Sequence, residues 1–180
     1  MDWRHITEIM TAGHDVYDTI QNMCVWVKSS GGMGSLYRSQ HELCFIFKKG
    51  KESHTNNVEL GKNGRYRTNV WNYAGVNSFG KHKDDIKLHP TVKPVEMLRD
   101  AILDVTKRGD IILDSFLGSG STLIAAEKSK RICCGIEFEP LYIDTTIRRF
   151  KELFGIDAIR ESDGKTYHEL LTEKLNLEVE

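Results

Sequence analysis

The residues best equipped for chemistry stand together in DSFLGSGST, Asp114 to Thr122, where an acid, several hydroxyls and two spaced glycines follow the apolar run Ile111, Ile112 and Leu113. A glycine loop between a strand and a helix can hold an anion, because its backbone N–H groups point at the ligand. A triphosphate loop needs Lys and then Ser or Thr after its last glycine, whereas Ser121 and Thr122 follow Gly120 here. That reading lacks its charge. A dinucleotide loop wants three glycines and an acid near the end of the next strand. Gly118 and Gly120 match the first two, Leu123 takes the third position, and Glu137 supplies the acid. Asp114 argues against a pyrophosphate, since a carboxylate beside it would repel the anion. A ligand with a positive centre suits the loop better. S-adenosylmethionine carries a sulfonium, an ammonium and a ribose, which match an acid at the loop and a second acid, Glu137, placed to accept from the ribose hydroxyls. Two glycines also suffice for a tight strand-to-helix turn that holds no ligand.

The loop needs strands and helices to position it, and the second half of the chain supplies an alternating order. VEMLRDAILDVT reads as a helix with Val95, Leu98, Ile102 and Val105 on one face, and Pro94 suits its start. GDIILDSF reads as a buried strand, GSTLIAAEKSK as a helix, RICCGIEF as a second buried strand and PLYIDTTIRRFKELFG as another helix. That order predicts a parallel sheet with crossover helices. The first half differs. HITEIMTAGHDVYDTIQ has a loose helical period broken by Gly13, and MCVWVK and ELCFIFKKG read as strands joined by the loop SSGGMGSLYRSQH. The C-terminal EKLNLEVE is expected to fray.

At 180 residues, 39% hydrophobic and with a net charge of -1, the chain is expected to form one soluble globular domain. No stretch reaches the apolar length of a membrane span and the N-terminus lacks a signal-peptide pattern, so a cytoplasmic location without membrane attachment is expected. Cys24, Cys44, Cys133 and Cys134 lie in strand-like runs without CxxC spacing and read as buried thiols rather than metal ligands. Between Lys48 and Lys87, nine Lys or Arg face four acids, a local surplus of about five positive charges.

HPTVKP before a helix, then LDSFLGSGSTLIAAE, then GIEFEPLYID, resembles the amino-methylating (adenine N6 or cytosine N4) DNA methyltransferases of the beta motif order. MDWRH, CVWVKSSGGMGSLYRSQHELCFIF and GRYRTNVWNYAG are similar to earlier stretches of the same family, so the resemblance runs from about Met1 to Gly164. It implies an α/β fold of the S-adenosylmethionine-dependent methyltransferase (Rossmann-like) type, a mixed sheet with an antiparallel hairpin, incomplete at its N-terminal side. The implied division is residues 1–49 for helix and hairpin, 50–88 for a basic DNA-recognition insert and 89–164 for the cofactor half.

The resemblance also implies roles. Asp114, Phe116, Gly118 and Gly120 would surround the methionine part of S-adenosylmethionine, with Ser119, Ser121 and Thr122 as nearby hydroxyls. Glu137 would bind ribose, and Phe138 or Pro140 would border adenine. His89, Pro90, Thr91, Lys93 and Pro94 resemble the motif before the cofactor helix, where Thr91 and Lys93 would meet the methionine carboxylate. A solvated surface lysine is the plainer alternative for Lys93.

The family's reaction depends on Asp, Asn or Ser followed by Pro-Pro and an aromatic. This chain has three prolines, Pro90, Pro94 and Pro140, and no Pro-Pro pair. Three explanations stand open: truncation, a split enzyme whose other part supplies the motif, or a cofactor-binding remnant without activity. Exposed strand edges left by such a gap would invite pairing with the missing portion or a second chain.

Basic and aromatic residues interleave at Lys62, Arg65, Tyr66, Arg67, Trp71, Tyr73, Phe79, Lys81 and Lys83, a mixture that can neutralise phosphates and cover an unstacked base. Arg65, Arg67, Trp71 and Lys81 are therefore candidate contacts to double-stranded DNA, with a solvated loop as the alternative. Tyr37, Arg38 and His41, in or beside the first glycine loop, are further candidates. A purely structural role, in which Arg38 and Glu42 tie the hairpin together, weighs equally. The expectation is a site-specific DNA methyltransferase portion acting on the amino group of adenine. The alternative is a binding module or subunit without catalysis.

Overall fold

The computed structural model describes residues 1–33, 36–75 and 92–177. A short 3-10 turn leads into helix α1 (Ile6–Val16), which is followed by strands β1 (Thr19–Val27) and β2 (His41–Lys48) and the short strand β3 (Val70–Asn72). The second half runs α2 (Val95–Val105), β4 (Ile111–Asp114), α3 (Ser121–Lys128), β5 (Ile132–Gly135), α4 (Pro140–Phe154) and α5 (Tyr167–Leu177).

The strands form two sheets. In the first, β1 lies between β2, antiparallel to it, and β3, which runs parallel along Val25 to Val27. The second is the parallel pair β4 and β5, in register from Ile111 and Ile132 to Asp114 and Gly135. Helix α2 joins them. Cys24, Trp26, Trp71 and Met97 make one core cluster, with Leu98 and Ala101 packed against it. Ile102 of the same helix meets Ala125 and Ala126 of α3, and Leu98, Ile112 and Cys133 pack there too. The periodicity of VEMLRDAILDV thus serves two neighbours: one flank of α2 covers β1 and β3, the other covers α3 and β4.

The hairpin begins earlier than its sequence suggests. Asp18 to Gln21 do not extend α1; Thr19 and Ile20 already pair with Lys48 and Phe47. Gly13 does not break α1 either. A Cβ there would lie 2.3 Å from the Phe47 ring, so the glycine lets the helix approach β2 closely. Strand β3 had no clear sequence signal, being three residues long in a polar segment. At the other end, Glu173 to Leu177 are helical, and Glu178 to Glu180, the rest of the stretch expected to fray, lie outside the described residues.

The thiols divide. Cys24 is buried and Cys133 half-buried, and burial first of all pushes each up to about 11. Cys44 and Cys134 are exposed, which corrects the expectation of four buried thiols. Among the described residues no group of three or more His, Cys, Asp or Glu could hold a metal ion, and no helix is long and apolar enough to cross a membrane.

Among the described residues, helices cover one face of the β4–β5 pair and no element covers the other. Ile112 and Cys133 point to the helices, whereas Ile111 (67% exposed), Leu113 (66%) and Ile132 (55%) face outward. Parallel sheets are ordinarily covered on both faces. An uncovered apolar face of this kind is a surface suited to another polypeptide segment.

Candidate functional site

The two parallel strands end at the same level, and their carboxyl ends carry the two acids. Asp114 closes β4, and Glu137 lies two residues beyond Gly135, the end of β5. Ligands of open α/β sheets bind outside the carboxyl ends of the strands. A cavity of about 410 Å³ opens there, a size typical of small-molecule sites. Its lining includes Asp114, Phe116, Gly118 and Ser119 of the loop after β4, Ser121 and Thr122 of α3, Glu137 after β5, and Val92, Lys93 and Leu98 before and within α2.

The loop between β4 and α3 is fixed by several bonds. The Phe116 N–H donates to Asp114 Oδ1 at 3.0 Å, and the Gly118 N–H donates to Glu137 Oε2 at 2.6 Å. Glu137 Oε1 accepts from the Glu139 N–H at 2.9 Å, so the carboxylate bridges the two strand ends. Gly120, at φ +80°, precedes α3, and a Cβ on it would lie 2.6 Å from Thr146 Cγ2. Only glycine allows both that backbone conformation and that approach of α4. From α4, Thr146 donates to the Gly118 carbonyl at 3.0 Å, and Arg149 bonds the Ser119 carbonyl and hydroxyl. Ser119 is therefore held by the scaffold.

Ser121 differs. Its residue is 6% exposed, and its Oγ, buried in the cavity wall at the N-terminus of α3, has no hydrogen-bond partner among the described residues. Buried hydroxyls are normally satisfied, so an orphan in a cavity wall calls for a ligand or ordered water. Two acids, an orphan hydroxyl and a cavity of this size fit a ligand with cationic centres and sugar hydroxyls. Phe116 is 90% exposed beside this cavity, and Phe138 is almost fully exposed, though it does not line it.

Lys93 lies on the cavity wall, but its ammonium is engaged. It donates to Glu42 Oε2 at 2.9 Å, while Lys28 lies 2.6 Å from Glu42 Oε1. Both ammoniums lie over the Trp26 ring, at 5.6 and 5.1 Å from its centroid. Burial works to raise the Glu42 pKa, but the bonds from Lys28 and Lys93 outweigh it and hold the carboxyl below its usual range. Sequence reasoning gave Glu42 only a hairpin-tying role and left out Lys28 and Trp26. The signal was the cross-strand register, which sets Glu42 opposite Trp26. Pro94 is the N-cap of α2, and His89, Pro90, Thr91 and Lys81 lie outside the described residues.

The candidate DNA contacts are placed differently from expectation. Trp71 is buried at 8% exposure in the core, with its Nε1 donating to the Thr68 carbonyl, so it is not available to a base. Arg65 lies 2.7 Å from Asp104 Oδ1 and also bonds the Asp100 carbonyl. Arg67 meets Asp104 at 2.8 Å, Asp100 at 3.2 Å and the Tyr73 hydroxyl at 2.8 Å. Burial works against the Arg67 charge, but Tyr73, Asp104 and Asp100 outweigh it and raise its pKa. These two arginines fasten the 65–73 segment to α2 rather than presenting free charge. Arg38 bonds the Gly31 and Gly32 carbonyls and so closes its own loop. His41 is half-buried at the start of β2, and Tyr37 is exposed.

The family model N6_N4_Mtase, described as DNA methylase, matches residues 6–148. The chain belongs to this family of amino-methylating DNA methyltransferases. It is 37% identical over 109 residues to Type II methyltransferase M2.MboI of Moraxella bovis, covering 59% of this chain and 39% of that protein. It is 30% identical over 156 residues to DNA adenine methyltransferase YhdJ of Escherichia coli (strain K12), covering 73% and 52%. The chain thus spans about half or less of these relatives. The structure of an M1.HpyAVI–SAM complex superposes with a TM-score of 0.65 at 26% identity, over 83% of this chain and 71% of that one. The cytosine-N4-specific PvuII DNA methyltransferase superposes with a TM-score of 0.64 at 18% identity, over 82% and 56%, and shares the fold. The expected Rossmann-like methyltransferase fold is thereby established.

Proposed function

We propose that this chain is the cofactor-binding portion of a DNA methyltransferase, that its cavity takes S-adenosylmethionine, and that the target is the amino group of adenine. The observation that carries the reading is the cavity itself: Asp114 and Glu137 at or just beyond the ends of two parallel strands, with the orphan Ser121 hydroxyl in the same lining. Asp114 and Phe116 would face the methionine part of the ligand, Glu137 would accept from ribose, and Phe138 or Pro140, beyond the lining itself, would border adenine. Bound there, the cofactor supplies an electrophilic methyl group. The chain's own part is to bind and orient it, and alignment of methyl donor and acceptor contributes much of the rate in such reactions.

Adenine is favoured by the likeness to a DNA adenine methyltransferase, while a cytosine-N4 enzyme shares the fold. Residues 50–88 are assigned to DNA recognition, with Tyr37 of the preceding loop at the base. A base inside a duplex must be flipped before its amino group can react.

The Pro-Pro-aromatic tetrapeptide is absent from these 180 residues, so transfer requires another polypeptide segment to supply it. The open face of Ile111, Leu113 and Ile132 is the surface offered to that segment. The same absence favours, as a second reading, a subunit that binds cofactor or DNA without catalysis. The test is nucleoside analysis of duplex DNA incubated with labelled S-adenosylmethionine and the chain, alone and with a methyltransferase N-terminal portion carrying the tetrapeptide. N6-methyladenine formed only in the combined reaction supports the first reading; N4-methylcytosine corrects the target; cofactor binding with no product in either reaction supports the second.

A further inference from the structure

Three charged side chains from distant parts of the chain meet around Lys93, which lines the cavity. Glu42 begins the β2 edge, Lys28 follows β1, and Lys93 precedes α2 and lines the cavity. Glu42 uses both oxygens, one for each lysine, at 2.6 and 2.9 Å. Its side chain is 20% exposed, which makes the pair partly buried and geometrically defined. The Trp26 ring beneath the two ammoniums is itself fixed, since its Nε1 donates to the Tyr73 carbonyl at 2.8 Å. An ammonium carries three donors, so Lys93 retains bonding capacity beyond Glu42. Two lysines share one carboxylate, so the cluster keeps surplus positive charge among the described residues.

The same lining carries Asp114 and Glu137. A cavity lined by two acids and a lysine matches a zwitterionic ligand. We infer that Glu42 is a positioning residue for the ligand's carboxylate: it holds Lys93 over Trp26 in the cavity lining, where the lysine receives that group. This inference rests on the S-adenosylmethionine reading of the cavity and adds a residue to it. A carboxylate near an anion site would on its own oppose binding. Here the two lysines offset it, and its contribution is to hold a long side chain that otherwise loses rotamer freedom when it binds.

Calorimetric titration with S-adenosylmethionine and with its decarboxylated form separates positioning from general damage, because only the first ligand has the group that Lys93 would meet. Lys93→Met should weaken S-adenosylmethionine binding by about tenfold and Glu42→Gln by about threefold or more, with the decarboxylated ligand changed by less than about twofold. The double variant should bind no more weakly than Lys93→Met alone, since both changes act through one lysine. Unchanged or tighter binding by Glu42→Gln overturns the inference while the cavity reading stands. Equal losses for the two ligands assign Glu42 a structural role and also overturn it. A folded wild type that binds neither ligand defeats the cavity reading itself.

Discussion

The Gly118 N–H donates to the Glu137 carboxylate across 2.6 Å, joining the loop after β4 to the end of β5. The acid proposed to receive the ribose therefore also shapes the glycine loop. Glu137→Ala should lower stability by about 1.5–3 kcal/mol, the usual range for a hydrogen bond to a charged group. It should also weaken S-adenosylmethionine binding by more than about tenfold, since one charge-assisted contact is lost. Thermal melts and calorimetric titration of one variant measure both effects.

Gly120→Ala combines a left-handed backbone at φ +80° with a Cβ placed 2.6 Å from Thr146. A loss of about 1–3 kcal/mol is expected from strain of this kind. Adding Thr146→Ala should recover only part of it, because relieving the contact leaves the backbone conformation unfavourable. Chemical unfolding of the single and double variants gives the comparison.

Arg67 sits among Asp100, Asp104 and Tyr73. Arg67→Ala removes one of the two arginines that Asp100 and Asp104 share, Arg65 remaining, and should cost about 1.5–3 kcal/mol of stability. A residue whose role was to contact DNA would instead leave the unfolding midpoint unchanged and lower DNA affinity. The midpoint in urea decides between them.

Glu42 ionises below the usual carboxylate range because Lys28 and Lys93 outweigh its burial. A carboxyl depressed in the folded state stabilises the protein above its unfolded pKa of roughly 4.3, and the contribution is lost as pH falls through the lower folded value. The folded protein binds fewer protons than the unfolded chain over that interval, so stability falls with pH. Glu42→Gln should flatten this acid limb and leave the slope above neutrality unchanged, as melts across a pH series would record.

The pair of changes Ile111→Ser and Leu113→Ser removes apolar groups from an open face, so the isolated chain should unfold within about 0.5 kcal/mol of wild type. The same pair should abolish assembly with an N-terminal portion that carries the tetrapeptide. Analytical ultracentrifugation of the mixture tests this; undiminished assembly would place the partner elsewhere.

Much of the second half was legible in the sequence because its signals are local and agree. Apolar strand runs, the Gly118 and Gly120 turn and the VEMLRDAILDV periodicity each specify their element without distant contacts. The Asp114 and Glu137 pairing was legible for the same reason, as a parallel strand pair places both acids at one end. The first half was harder. Asp18 to Gln21 have no helix-ending signal of their own, and pairing with Lys48 and Phe47 draws Thr19 and Ile20 into a strand. Arg65, Arg67 and Trp71 looked like nucleic-acid contacts because composition does not reveal partners 33 to 39 residues away, such as Asp100 and Asp104. The Glu42, Lys28 and Lys93 cluster depends on strand register and on a contact spanning 51 residues. No local pattern announces it.

The most direct test of the central claim is calorimetric titration of the chain with S-adenosylmethionine, beside an Asp114→Ala variant shown by its melt to be folded. Stoichiometric binding by the wild type and its loss in the variant are the expected result. A folded wild type that binds no S-adenosylmethionine, or a variant that binds it equally well, would contradict it.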